Sequence, residues 1–412
     1  AISSVVVGVT ACKRQAAPSR RGHADPAVRP PPTASRGPMA GKALIVVQSQ
    51  FVSRGGKVEP GPAKLLLVRP GAPLWTTEVI EDPESNVFHK GIFWRNGVLT
   101  IGAMGAKLKH WTRGNKGWQG RQLWAASFGG KFDRLRDIEQ GDVDRDGHPE
   151  LVIATHDQGV VAVGHEAGGK WRFEQLGREP NTFVHEIEVG DTEGDGKLEF
   201  YCAASDRNRA SQVSQPGGVY RYDWNGTTFV RSTVGTWSDT HPKEILLADV
   251  NADGKDELYV VLEALTSRQE KRLIMERPVQ ILRASQSTAG HWTTEVVAEI
   301  QDLQTRFLVP GDVDGNGKVE LVAAAMRSGL WLLRKNKAGR FDKTLIDGDS
   351  AGYEHATHVA DLDGDGRAEI YVAADRQKQI RQYVWEGKTF RRTKILEMPG
   401  HQITWNIQHG PL

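Results

Sequence analysis

The chain is poor in cysteine: its 412 residues hold two, Cys12 near the start and Cys202 inside "LEFYCAAS". That excludes a disulfide framework and any zinc site built on cysteine pairs. An excess of charge of one sign is missing too, since 53 basic residues face 51 acidic ones. Net charge therefore gives no reason to expect binding to nucleic acid or a membrane surface, and electrostatic function must come from local placement. After Cys12 no apolar run approaches the length of about 18 residues needed to cross a bilayer. Nucleophile elbow, phosphate loop and dinucleotide fingerprint are absent. What remains is a chain with 45 glycines and 39% apolar residues, long enough for one large repetitive β domain or two ordinary domains.

The opening "AISSVVVGVTAC", residues 1–12, is an apolar run ending in small residues and a cysteine, which is how a secretory signal reads. The sequence Val9-Thr10-Ala11-Cys12 resembles the lipobox of bacterial lipoproteins, although leucine is usual where Val9 stands. The resemblance implies lipidation of Cys12, export, and anchorage to the outer membrane on its periplasmic or cell-surface side. Residues 13–42 are rich in proline and arginine, too poor in apolar side chains to pack, and read as a flexible tether.

Internal repeats organise the rest. An acidic motif recurs as "GDVDRDGHPELVIA", "GDTEGDGKLEFYCA", "ADVNADGKDELYVV", "GDVDGNGKVELVAA" and "ADLDGDGRAEIYVA", starting at Asp142, Asp191, Asp249, Asp312 and Asp361. This spacing fits propeller blades better than helical repeats. A second series, a glycine turn followed by an aromatic and a β-rich run, marks Trp75, Trp118, Trp171, Phe229, Trp292, Phe341 and Phe390. Two units thus lack the acidic loop. Four short strands per unit and no amphipathic helix predict a seven-bladed, all-β propeller over residues 43–412. The first unit lacks its inner strand, and "GHQITWNI" near the C-terminus supplies it, so His401–Ile407 is expected to close the ring. Closure removes the exposed strand edges of an open sheet.

The acidic series resembles the FG-GAP and VCBS repeat propellers, the group that includes the integrin α-subunit head and many bacterial secreted proteins. The resemblance covers nearly the whole chain after the tether. It implies the propeller fold and calcium, but fixes no function, because that fold hosts adhesion modules, lectins and lyases alike.

The loop chemistry also stands on its own. Calcium takes six to eight oxygens, and carboxylates at alternating positions of a tight loop converge on one point. In the last copy Asp361, Asp363 and Asp365 supply side chains, Gly366 the sharp turn, Arg367 a backbone carbonyl, and Glu369 closes the shell. An EF-hand needs a glutamate at the twelfth position, where Val372 stands, and flanking helices. The other copies offer Asp142, Asp144, Asp146, His148 and Glu150; Asp191, Glu193, Asp195, Lys197 and Glu199; Asp249, Asn251, Asp253, Lys255 and Glu257; and Asp312, Asp314, Asn316, Lys318 and Glu320. Up to five structural calcium sites are expected, with the Asn251 and Asn316 loops weakest for want of charge. A plain Asp/Asn-Gly turn without metal is the alternative.

Counting back six residues from each leading aspartate reaches Arg136, His185, Lys243, Arg306 and His355; aligning the two degenerate blades adds His89 and His401. These are expected to ring one mouth of the central channel and to bind a carboxylate or phosphate. The acidic neighbours Asp137, Glu186 and Glu244 could neutralise them, and His358 adds to the cluster. The leading expectation is a non-enzymatic binding or scaffold module for a protein partner or acidic glycan, not for nucleic acid. The alternative is a lyase or hydrolase of an anionic saccharide using His185, Lys243, Arg306 and His355, or a subset of histidines holding a transition metal.

Overall fold

A computed structural model describes residues 42–71, 75–130, 133–207, 213–287 and 289–411; Cys12 and the tether up to residue 41 lie outside them. The regular structure is antiparallel strands and one short 3-10 turn, Asp375–Gln377. The strands form seven four-stranded blades, six of them in sequence order; a short strand, Lys57–Pro60, extends the first blade and a hairpin is inserted in the fifth. Blades 2 to 7 span 88–125, 135–176, 182–237, 242–300, 305–347 and 357–397. Blade 1 takes Lys42–Arg54, Ala63–Arg69 and Thr76–Asp82 from the N-terminal side and His401–Pro411 from the C-terminal side. The two ends pair from Lys42 opposite Pro411 to Phe51 opposite His401, so the ring closes as the repeat count requires.

The sequence pattern explains the layering. The second strand is buried along its whole length in three acidic repeats, Glu150–Thr155, Glu320–Ala325 and Glu369–Ala374, and at all but one end residue in the other two. A blade stacks its two faces on two neighbours, so a central strand reads as a continuous apolar run. Seven apolar clusters result, each shared by two adjacent blades. The aromatic series fits between blades: Trp75 meets Tyr371, Trp292 meets Tyr201 and Phe341 meets Tyr259, each edge-on at about 6 Å between ring centroids. Those tyrosines are fully buried, and truncating such a ring costs about 3–5 kcal/mol. Cys202 lies in this core as a free thiol.

Candidate functional site

The inner strands of blades 1 to 6 each carry a β-bulge near the channel mouth. The register skips His89, Arg136, His185 and Lys243 in blades 2 to 5, passes over Arg306 in blade 6, and skips Trp405 in blade 1. A bulge places two residues opposite one and breaks the in-out alternation. His89 with Lys90, Arg136 with Asp137, Arg306 with Phe307 and Trp405 with Asn406 therefore all line one cavity, together with Glu186, Lys243 and Glu354. Its free volume is about 20 Å³, room for a group the size of a water molecule.

Five of the expected basic residues, His89, Arg136, His185, Lys243 and Arg306, occupy the bulge positions. The other two do not. His355 has a left-handed backbone (φ 58°) and is fully buried, with Nε2 2.8 Å from Ser350 Oγ and Nδ1 2.7 Å from the Ala325 carbonyl oxygen. Glu354 takes the channel place instead, because the inner strand of blade 7 starts late, at Thr357. His401 is exposed at the outer start of the closing strand, opposite Phe51. That strand is longer than its repeat, and Trp405 stands where a basic residue was expected.

The ring is charge-compensated, not a bare cationic funnel. Glu354 pairs with Arg306 of the neighbouring blade and, at 3.4 Å, with Arg136 on blade 3. Arg306 also reaches Glu263 at 3.4 Å. Deeper, Lys90 pairs with Asp137 at 2.8 Å and with Glu139. Burial alone would lower the Lys90 ammonium, but these carboxylates outweigh it and hold it well above its usual range. Cations out of water persist only with such partners. Burial, reinforced by like neighbours, holds Glu186 and Glu244 well above the usual carboxylate range.

Lys243 has different company. Its Nζ lies 3.1 Å from His185 Nε2, which also meets Ser205 Oγ at 2.7 Å. Burial pulls the lysine down to about 7, against the opposing pull of Glu263. Burial, then the Lys243 charge, keeps His185 well below its ordinary value, so it is neutral. His156 and His241 flank His185 with ring centroids 6.0 and 6.1 Å away, and His241 lies 3.5 Å from Glu263. Among the described residues these imidazoles do not converge as a metal-ligand group. Lys90, Glu354, Glu263, His156 and His241 are the members that the spacing argument missed. His156 and His241 lie outside the repeat register, while Glu354 was one position from the residue chosen. His358 lies elsewhere, 2.6 Å from His409 of the closing strand.

The five acidic loops share one geometry. Their leading aspartate accepts from the glycine N–H five residues on, at 3.1, 2.7, 2.8, 2.8 and 3.0 Å in blades 3 to 7. Those glycines have φ between 78° and 88°, a left-handed turn that a Cβ would strain. The closing glutamate accepts from the N–H following the leading aspartate, for example Val143 to Glu150 at 3.1 Å and Leu362 to Glu369 at 3.1 Å. Carboxylates converge in four loops: Asp142, Asp144 and Asp146; Asp191, Asp195 and Glu199; Asp312, Asp314 and Glu320; and Asp361, Asp363, Asp365 and Glu369. These oxygen-only donor sets suit a hard cation such as calcium, which would cross-link the two ends of its loop. Blade 5 shows no such group among the described residues: Asn251 donates to Glu257 instead. In blade 6 Arg334 sits on Asp314 at 2.9 Å, a cation already supplied by the chain. Arg221 similarly engages Glu193 at 2.8 Å and Glu199 at 3.6 Å in blade 4.

A model of the FG-GAP-like repeat matches residues 142–202 and 312–372. No curated protein matches the chain. Solved structures similar in fold include a proposed 6-phosphogluconolactonase from Bacteroides fragilis (TM-score 0.56, 12% identity, 91% of this chain and 99% of that one). A periplasmic gluconolactonase from Pseudomonas aeruginosa is similar at TM-score 0.50 and 15% identity, covering 89% and 99%. An apocarotenoid oxygenase from Synechocystis is similar at 0.55 and 10%, covering 91% and 93%. Such identities speak for the propeller fold alone.

Proposed function

This chain is an FG-GAP repeat β-propeller, and on that premise we propose that it is a calcium-stabilised, exported binding module that docks a carboxylate of an acidic glycan or protein partner at the channel mouth. The observation that carries the reading is that Arg136, Lys243 and Arg306, from three blades, line one cavity in which Glu354 stands between Arg136 and Arg306, with Asp137 and Glu186 beside Lys90. The cavity is too small for a sugar ring, so a ligand rests on the rim and presents its carboxylate to the cations at the mouth. An incoming carboxylate can replace Glu354 as partner of Arg136 with little change in net interaction. A lipid anchor at Cys12 would hold the module at the membrane. The test is calorimetric titration with oligogalacturonate, a neutral oligosaccharide and an acidic peptide. Selective binding of an acidic probe, lost in Arg136→Ala and in the His185→Ala/Lys243→Ala double variant, supports the reading. Unchanged binding in both overturns it.

A second reading, a lyase or hydrolase of an anionic saccharide, draws on the Lys243–His185–Ser205 hydrogen-bonded series. A lysine near 7 beside a neutral imidazole is a plausible acid and base pair. Release of unsaturated or reducing ends from an acidic oligosaccharide, abolished in Lys243→Met, would favour it over simple binding.

A further inference from the structure

The acidic loop of blade 3 differs from the other four in one donor. His165, on the third strand of the blade, sits across the ladder from Glu150, one step beyond the Leu151–Gly164 pair. The same ladder position holds Asp223 in blade 4, Ser285 in blade 5, Arg334 in blade 6 and Val384 in blade 7. Among the described residues, only here does an imidazole enter the cluster. Its Nδ1 lies 3.3 Å from Asp144 Oδ2 and 3.6 Å from Glu150 Oε1, and the three residues form a convergent ligand group. Glu150 is 2% exposed, and Asp142 Oδ1 in the same loop is buried with no hydrogen-bond partner.

We propose that this loop is a site for a borderline divalent transition ion of the zinc type, ligated by His165 Nδ1, Glu150 and Asp144, with a fourth position left for water or substrate oxygen. The spacing fits. Zinc bonds nitrogen and oxygen at about 2.0–2.2 Å, so neighbouring ligand atoms of a tetrahedron stand about 3.4 Å apart. The donor type decides between ions. Calcium takes oxygen ligands almost exclusively, whereas imidazole binds zinc, copper, iron and nickel well. Among the described residues no lysine or arginine is paired with Asp144 or Glu150 as Arg334 is with Asp314 in blade 6.

The experiment is metal analysis of the whole chain after dialysis against zinc with calcium in hundredfold excess. The expected result is about one zinc retained, with calcium still bound elsewhere. His165→Ala and His165→Gln should both weaken zinc binding by at least about tenfold, the lower end of what even an outer-shell partner of a metal costs. His185→Ala/His241→Ala should retain the zinc, which separates this loop from the channel imidazoles. Should the alanine variant fail to fold, pulsed EPR of the copper-loaded wild type reads imidazole nitrogen coupling directly, and His165→Gln should remove it. Retention of calcium alone, or of zinc in both His165 variants, overturns the assignment.

Discussion

Arg136 of blade 3 and Glu354 of blade 7, 218 positions apart in the chain, meet at 3.4 Å across the channel mouth. Glu354 is 1% exposed and holds Arg306 as well, so one carboxylate offsets two guanidinium groups. Glu354→Ala should destabilise the fold by about 3–5 kcal/mol in urea titrations, because buried cations lose their partner. In whatever fraction remains folded, the affinity for an acidic oligosaccharide should rise. A fall in affinity with retained stability would show that the glutamate itself contacts the ligand.

Lys243 sets a pH dependence. With its folded value pulled down to about 7 by burial, it is charged below that pH and neutral above it. Affinity for an acidic probe should therefore fall as pH rises from 6 to 8.5, and Lys243→Met should flatten that profile. The sign for stability is opposite: the unfolded chain binds the proton up to about pH 10.4, so this group favours folding increasingly as pH rises from 7. Titration calorimetry at several pH values checks the first statement.

The loops should not respond alike to metal. Asp361→Asn removes a ligand from the loop with four convergent carboxylates and should lower both bound calcium and the melting temperature. Asp249→Asn, in the loop where Asn251 donates to Glu257, should leave calcium content unchanged. Chelator added to the unmodified chain should lower its melting temperature. Indifference of both quantities to chelator would remove calcium from the account.

The ring closure carries its own titration. Asp375, beside blade 7, accepts from the Thr404 backbone N–H and from its hydroxyl, each at 2.8 Å, and so fastens the closing strand. Burial pushes its carboxyl up to about 7 despite those bonds. Between pH 4 and 7 the folded state holds a proton that the unfolded chain has lost, so this group's contribution falls across that window, by something on the order of 4 kcal/mol. Asp375→Asn should remove that slope from melting temperatures measured between pH 4 and 8.

The propeller was legible because its signals are local and repeated. An acidic turn, a buried second strand and an aromatic opening the outer strand each follow from one blade's needs, and several copies average out the noise of any one. Even the closing strand could be read, since a blade without an inner strand and a strand without a blade must belong together. The acidic loops were equally local: side-chain spacing and a left-handed glycine decide their shape.

The mouth of the channel was legible only in part. Residue counting located His89, Arg136, His185, Lys243 and Arg306, but it assumed equal strand lengths, and blades 7 and 1 break that assumption at His355 and His401. Bulges abolish the alternation of an ordinary strand, so that Lys90 and Asp137 share the cavity with the residues before them. Which carboxylate meets which cation, as Glu354 meets Arg136, depends on blades brought face to face by ring closure. The sequence by itself determined the blades, their number and their acidic turns, because those rest on interactions between near neighbours in the chain. Only the tertiary structure decided the charge of the channel, because there the partners come from opposite sides of the ring.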